Sequence, residues 1–420
     1  MANEQFKKPR GTLDYFYNDE EVLLGLKDVL MDEAGLYGCS PCEPPMFEEN
    51  KLFHRTDGES SDIVTKQTFD LANKGEKDYT LRPEYTASVN RAVVENKYFA
   101  LPDMPLRLSY FGPVFRYERP QAGRLREFSQ YGVEFIDSKV DIDTSVEALL
   151  LSVNAAKLAL GHDVLVKLNF LGSFKSRENY KKELYNYFKP QIGNMCEDCQ
   201  RRLETNPLRI LDCKVPEDQA IGAKAPKISD FLDEEDKKEY DTLLKAITSV
   251  GVKYEVDDRL VRGLDYYTGL VWEIYDDKKV EVGAIGGGGK YANLMEEIGG
   301  PSYEGIGFSL GIERILLCLD DKRKDELAKK ENTDVFIIDN RRDGKALYLA
   351  DKLRQNGLAV TFSSFTRGMG GAFKMADRKK TKYVLIVDEK VLQLKNMVTR
   401  EQKEVSEEEV LGLKKEAQNA

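Results

Sequence analysis

Arg116-Tyr-Glu-Arg-Pro-Gln-Ala-Gly-Arg-Leu-Arg-Glu-Phe-Ser-Gln130 is the stretch on which the fold turns. It joins two runs with strand spacing, so 106–136 reads as two strands around a polar loop, 118–126. Five arginines fall between positions 107 and 126. A solvated basic hairpin would account for them. Arg116, however, follows the apolar strand 110–115 directly and should be partly enclosed, and an enclosed guanidinium needs an anionic partner. A phosphate or carboxylate would satisfy it through paired hydrogen bonds. Side chains alternate along the next strand, so Phe128, Gln130, Gly132, Glu134 and Ile136 share one face. Gly132 leaves a gap between two polar groups, suited to a small ligand with an amine or ring N–H. A half-exposed edge strand is the plainer alternative.

Three further stretches carry candidate chemistry. In Leu81-Arg-Pro-Glu-Tyr-Thr86, Pro83 imposes an extended or turn conformation. If extended, Glu84 and Thr86 point the same way, and Glu84 offers an acceptor to an ammonium group. In Arg259-Leu-Val-Arg-Gly-Leu-Asp-Tyr-Tyr-Thr-Gly269, Thr268-Gly269 suits a tight turn into a strand at 270–275, and one of the adjacent tyrosines can line a cavity while the other packs. Two core tyrosines and a surface Arg262 would fit equally. In Gly305-Ile-Gly-Phe-Ser-Leu-Gly-Ile-Glu-Arg314, Gly307 and Gly311 permit close approach by a flat ligand. Arg314 falls in the first turn of a helix, beside the positive end of its dipole, where a triphosphate tail would sit. The four glycines 286–289 lack Walker spacing and a surrounding βαβ unit, which leaves close approach to a ligand or another backbone as their use.

Only two histidines occur, His54 and His162, which argues against a serine–histidine–aspartate triad or a histidine metal site. The chemistry should rest on positioning and charge neutralisation. Six cysteines include two C-x-x-C pairs, at 39/42 and 196/199, too far apart in sequence for a zinc ribbon, so reduced thiols and no metal site are expected. Hydrophobic residues make up 41% and charged residues 32%, and no run of about 18 uncharged apolar residues appears, so no membrane span is expected. The first residues, Met-Ala-Asn-Glu-Gln-Phe-Lys-Lys, lack an apolar signal core, which favours a cytoplasmic enzyme. The net charge of −10 is uneven: residues 331–420 hold 17 Lys and Arg against 14 Asp and Glu, a basic-leaning tail on an acidic body.

Apolar residues recur with helical spacing at 19–36 and 143–160. From 174 to about 250 Lys, Glu, Asp and Tyr dominate in helical patterns, which reads as an insertion. Strand patterns return at 271–275 and 280–285. The charge-rich run 319–332 reads as a domain boundary. Beyond it, strands at 334–339, 358–362 and 383–388 alternate with helices at 345–355 and 372–378, the pattern of a small α/β domain with a mostly parallel sheet.

Together these stretches resemble the class II aminoacyl-tRNA synthetases, and over nearly the whole chain the histidyl-tRNA synthetase family, bacterial type. Residues 35–45, 115–127 and 305–314 resemble the three class motifs, 260–269 and 284–294 narrow the match to the histidine enzyme, and 206–214 resembles the bacterial insertion. The resemblance implies an α+β catalytic domain with a central antiparallel sheet over 1–325, interrupted by a helical insertion at 174–250, and an α/β anticodon-binding domain over 331–420. It implies activation of L-histidine with ATP, bound with Mg2+, and transfer to the 3′ end of tRNA(His) by a cytoplasmic homodimer.

Carried over residue by residue, it gives Arg116 the α-phosphate and the substrate carboxylate, and Arg314 the γ-phosphate. Glu84, Thr86, Gln130 and Glu134 grip the amino group and ring of histidine, with Tyr266 and Tyr267 completing the ring pocket. Arg262 stabilises charge at the α-phosphorus, Arg124 positions ATP, and Gln121 meets the tRNA acceptor end. Arg116 and Arg262 are thus the catalytic pair. Arg367, Lys374, Arg378, Lys379 and Lys382 are candidates for anticodon-stem phosphates. Four positions depart from the family pattern: Lys290 and Ala292 in the glycine-rich run, Tyr17 where a proline is usual, and Tyr85 for a frequent glycine. Two rivals remain: a histidine-sensing paralogue without catalysis, and a class II synthetase for another amino acid.

Overall fold

The computed structural model describes residues 6–56, 67–72, 75, 77–262, 266–328, 333–363 and 368–414. The chain divides into two units, Met1–Ala328 and Lys329–Ala420. Of the sequence candidates, Arg367 and the 263–265 part of the Arg262 stretch lie outside the described residues.

The first unit is built on an eight-stranded sheet. Its strands lie in the order Ser40–Pro41, Leu106–Phe115, Glu127–Asp137, Glu304–Gly311, Ala284–Tyr291, Tyr267–Asp276, Val164–Phe170, Glu255–Val256. The inner six pair antiparallel and the two short outer strands pair parallel. Alternation along Glu127–Asp137 sets the two faces. Tyr131, Val133 and Phe135 are fully buried on one face, in a core shared with the helices Asn18–Leu36 and Ile142–Leu160. Each large apolar side chain buried there contributes about 1.5–3 kcal/mol. Ile142–Leu160 starts where the Asp141 carboxylate accepts from Thr144 N–H and stops at Gly161, whose φ of 78° is left-handed. The opposite face, carrying Gln130, Gly132 and Glu134, holds the cleft described below.

Segment 174–250 is helical, with helices Phe174–Phe188, Glu197–Thr205, Pro216–Gly222 and Glu234–Ser249. The chain returns to the sheet edge through Glu255–Val256.

Several local expectations are corrected. The strand expected at 280–285 is a 3-10 turn, Val280–Val282, and the next strand starts at Ala284 and contains the four glycines. Thr268-Gly269 is no turn. Both residues lie in the strand Tyr267–Asp276, where the register against Ala284–Tyr291 slips and Gly269 takes φ 55°, a bulge. The charge-rich run 319–332 contains the division between the two units, and its first part is a helix, Asp321–Leu327, so close to Asn18–Leu36 that a Cβ on Gly25 would fall 1.8 Å from the Leu327 carbonyl oxygen.

The second unit has a five-stranded sheet in the order Val360–Phe362, Val335–Asp339, Tyr383–Val387, Leu392–Asn396, Gln402–Val405. Two pairings are parallel and two antiparallel, so the mostly parallel expectation holds for only half of it. Gln402–Val405 is largely exposed and polar and carries no apolar alternation to read. Val335, Ile337, Leu385 and Val387 pack in one core with helix Lys345–Gln355, while Phe336, Ile338, Val384 and Ile386 pack in a second with Met369–Arg378. Burial on both faces is why these strands read as unbroken apolar runs.

Candidate active site

A cleft of about 230 Å3 opens on the face of the sheet opposite the core helices. Glu84, Thr86, Arg116, Arg124, Gln130, Arg262, Tyr266, Tyr267 and Arg314 all line it. Glu134 lies beneath its wall, and Gln121 lines an adjoining cavity with Leu13, Tyr15 and Leu317.

Register across the sheet builds the floor. Gly132 stands opposite Tyr110 on one side and Ser309 on the other, Ser309 opposite Gly287, and Gly287 opposite Glu273. The next row places Glu134 opposite Gly307. The glycines make room for protein groups, which corrects two expectations. A Cβ on Gly132 would fall 2.4 Å from the Tyr110 ring, so that gap is filled by tyrosine and not by a ligand. A Cβ on Gly307 would fall 2.0 Å from Glu134 Oε2, so Gly307 admits the carboxylate. Only Gly311, of the two glycines in that strand assigned to a ligand, lines the cleft.

One group of side chains is rich in carboxylates and hydroxyls. Thr86 opens the helix Thr86–Glu95 and is not extended. Glu84 caps that helix, accepting from Thr86 N–H at 2.5 Å and Ala87 N–H at 2.7 Å. Its carboxyl is raised by burial, although those amides pull the other way. Glu134 accepts from the hydroxyls of Thr86 at 2.7 Å, Tyr291 at 3.0 Å and Tyr110 at 3.2 Å. Burial pushes its carboxyl up to about 8, and neighbouring Glu84 adds to the shift. Gln130 donates to Ser309 Oγ at 3.3 Å, while its buried Oε1 has no partner among the described residues. An unpartnered buried acceptor lining a cleft is a place for a ligand N–H.

The other group is cationic. Arg116 donates from Nε to Pro83 O at 2.9 Å and lies over the Phe128 ring. Arg314 donates from Nε to Gly123 O at 2.9 Å and from Nη1 to Ala284 O, which ties the loop 118–126 to the helix Ile312–Cys318. Burial, then the nearby Arg124 and Arg116, hold its pKa below the ordinary guanidinium value. Three arginines close enough to oppose one another's charge form a receptor for a polyanion. Arg262 lines the same cleft and is paired with Glu273.

Comparison with known proteins identifies the frame. A family model described as histidyl-tRNA synthetase matches residues 17–315, and one described as an anticodon binding domain matches 330–416. The chain belongs to the histidyl-tRNA synthetase family. Its function, joining histidine to tRNA with ATP, follows from that membership. A histidine–tRNA ligase of Thermosipho melanesiensis is 39% identical over 420 residues, covering 98% of this chain and 99% of the relative. One from Staphylococcus saprophyticus is 40% identical over 408 residues, covering 94% and 96%. A crystal structure of apo S. aureus histidyl-tRNA synthetase superposes with a TM-score of 0.77 at 32% identity, covering 97% of this chain and 99% of that one.

The departures from the histidyl-tRNA synthetase pattern now have places. Lys290 does not line the cleft. It pairs with Glu304 at 2.9 Å and donates to Val140 O at 3.0 Å. Tyr17 adopts φ 54°, which a proline ring forbids. Tyr85 is fully buried and stacks on Tyr110 at 4.2 Å, with the Arg82 guanidinium over its ring at 3.9 Å. Ala292, partly buried, has no structural account beyond its place just after the strand Ala284–Tyr291.

The sequence reading missed Tyr110, Glu273 and Tyr291. A large side chain opposite Gly132 was foreseeable in kind, but its identity depends on strand register. The need for an anion beside an enclosed Arg262 was a signal for Glu273.

Proposed function

We propose that the cleft holds histidine among Glu84, Thr86, Gln130, Glu134, Tyr266 and Tyr267, and ATP against Arg116, Arg124 and Arg314. The observation that carries this reading is that one cleft is lined both by acceptors, Glu84, Thr86 and Gln130, and by four arginines, Arg116, Arg124, Arg262 and Arg314. Glu84 is the acceptor for the substrate ammonium. Gln130 Oε1 takes a ring N–H, and Glu134, through its hydroxyl partners, fixes Thr86 and the wall behind it.

The histidine carboxylate and the α-phosphate are both anionic. Arg116 orients both, and Arg262 stabilises the charge that develops at phosphorus as the carboxylate attacks. Glu118 and Glu273 line the cleft, and carboxylate oxygens suit a hard cation. Those two carboxylates would hold a Mg2+ ion brought with ATP, which would supply charge to offset the pyrophosphate leaving group. In the second step the ribose hydroxyl of tRNA attacks the activated carbonyl, the bond from that carbonyl carbon to the phosphate oxygen breaks to release AMP, and a phosphate oxygen of the departing AMP takes the hydroxyl proton. Gln121, beside the cleft on the loop that carries Arg124, meets the acceptor end. Lys374, Arg378 and Lys379, exposed on or just after the helix Met369–Arg378, contact the anticodon stem together with Lys382. The reading carries with it a homodimer working in the cytoplasm.

ATP–pyrophosphate exchange with each amino acid in turn tests it. Exchange dependent on histidine alone is expected. Exchange with another amino acid refutes the pocket assignment, and none with any amino acid favours a histidine sensor.

A further inference from the structure

Three cysteines stand outside the catalytic reading. Cys196 precedes the helix Glu197–Thr205, Cys199 is that helix's third residue, and Cys213 follows the turn Pro207–Ile210. Asp218 is the third residue of the helix Pro216–Gly222. A four-ligand set was expected to need both C-x-x-C pairs. The structure instead brings Cys213 and Asp218 to Cys196 and Cys199. The three sulfurs and one Asp218 oxygen all lie within 4.8 Å of one another.

The spacing fits one tetrahedral ion. With Zn–S near 2.3 Å and Zn–O near 2.0 Å, a tetrahedron has S···S edges of about 3.8 Å and S···O edges of about 3.5 Å. Cys196 Sγ and Cys213 Sγ are 3.8 Å apart, and Cys213 Sγ and Asp218 Oδ2 are 3.3 Å apart. A disulfide needs sulfurs about 2.05 Å apart and would leave the third cysteine unused. Asp218 is 1% exposed, and Cys199 and Cys213 are buried. The Val215 N–H points at Cys213 Sγ over 3.5 Å, and the Cys196 N–H donates to Asp218 Oδ2 at 3.1 Å. Amides aimed at prospective ligand atoms are the support that orients a metal site.

We infer that Cys196, Cys199, Cys213 and Asp218 bind one zinc ion as a closed structural site. Four protein ligands leave no position for water, so the ion is not catalytic. It clamps the turn between two short helices. Leu208 and Arg209 of that turn share a small cavity with Val261, Arg262 and Tyr267, and Arg177 of the neighbouring helix Phe174–Phe188 donates to Tyr267 O. The ion therefore positions the wall behind the two residues that line the cleft, without touching substrate.

Metal content of the full chain tests this, whatever the catalytic residues do. The chain is made with zinc in the medium, passed over a chelating resin and analysed by plasma mass spectrometry. About one zinc per chain is expected, released when a mercurial titrates the thiols. Cys199→Ser and Cys213→Ser should hold about tenfold less or lower, while Cys39→Ser keeps the ion. Cobalt exchanged into the unaltered chain should give thiolate-to-cobalt charge-transfer bands and tetrahedral d–d bands, so the idea stays testable if the serine variants do not fold. An unaltered chain without zinc and without those cobalt bands overturns it, as does a disulfide among the three cysteines in the native chain.

Discussion

Arg262 donates from Nη1 to Glu273 Oε1 at 3.1 Å, in space that Gly287 leaves open. The pair is half-enclosed, and Glu273 in turn accepts from the Tyr275 hydroxyl at 2.6 Å. A guanidinium held this way keeps its position before substrate arrives. Arg262→Ala should lower the maximal rate of ATP–pyrophosphate exchange by about 10²–10³-fold. Histidine binding, followed by calorimetry, should largely survive. A rate near the parent's would remove Arg262 from the transition state.

Gly287→Ala tests the same arginine without deleting it. The new Cβ would lie 2.5 Å from Trp272 O and 2.9 Å from Arg262 Nη1, so Arg262 must move. Overpacking of this kind costs about 1–3 kcal/mol. The variant should melt earlier and lose maximal rate more than it loses affinity for histidine. An unchanged rate with a lowered Tm would mean that Arg262 tolerates displacement.

Glu134 gives a pH signature. Its folded pKa of about 8 lies above the ordinary 4.5, because burial disfavours the ionised form. The folded chain therefore holds this proton more tightly than the unfolded one. The penalty for ionising it is absent below about 4.5, grows as pH rises, and is complete above about 8. Glu134→Gln removes it, so the Tm of the variant relative to the parent should climb across that window. Parallel Tm curves would contradict the assignment, whatever the variant's absolute stability.

Arg314→Lys keeps the charge and loses the planar fork that reaches Gly123 O and Ala284 O together. Losing charge-assisted hydrogen bonds at this site should raise the KM for ATP about tenfold or more, with a smaller change for histidine. Equal effects on both substrates would point to general loosening of the loop 118–126.

In the second unit, Lys374 and Arg378 lie one turn apart and exposed on Met369–Arg378. Replacing both with alanine should weaken tRNA binding and reduce the slope of log affinity against log salt by about one to two. An unaltered slope would exclude phosphate contact by this helix face.

Much of the site was legible because its residues are chemically exacting. An enclosed Arg116 needed an anion, and Gln130 and Glu134 shared a strand face by alternation alone. The meaning of the glycines was not legible. Gly132 and Gly307 looked like space for a ligand, yet Tyr110 and Glu134 occupy that space from across the sheet. Thr268-Gly269 looked like a turn, because a left-handed glycine serves a bulge as well as a turn and only pairing on both sides separates the two.

The sequence by itself determined the family, the two-part organisation, the strands flanking 116–130 and the identity of the charged groups. These follow from local periodicity and from side chains that few positions tolerate. Tertiary structure decided which residues meet. Antiparallel register set Glu134 beside Gly307, a helix start turned Glu84 into a cap, and packing of short helices brought Cys213 and Asp218 to a C-x-x-C pair whose partners had been sought elsewhere. Periodicity fixes which face a residue occupies. How far each strand slides and how each helix docks is set by contacts between segments distant in the chain, and those have no local signature.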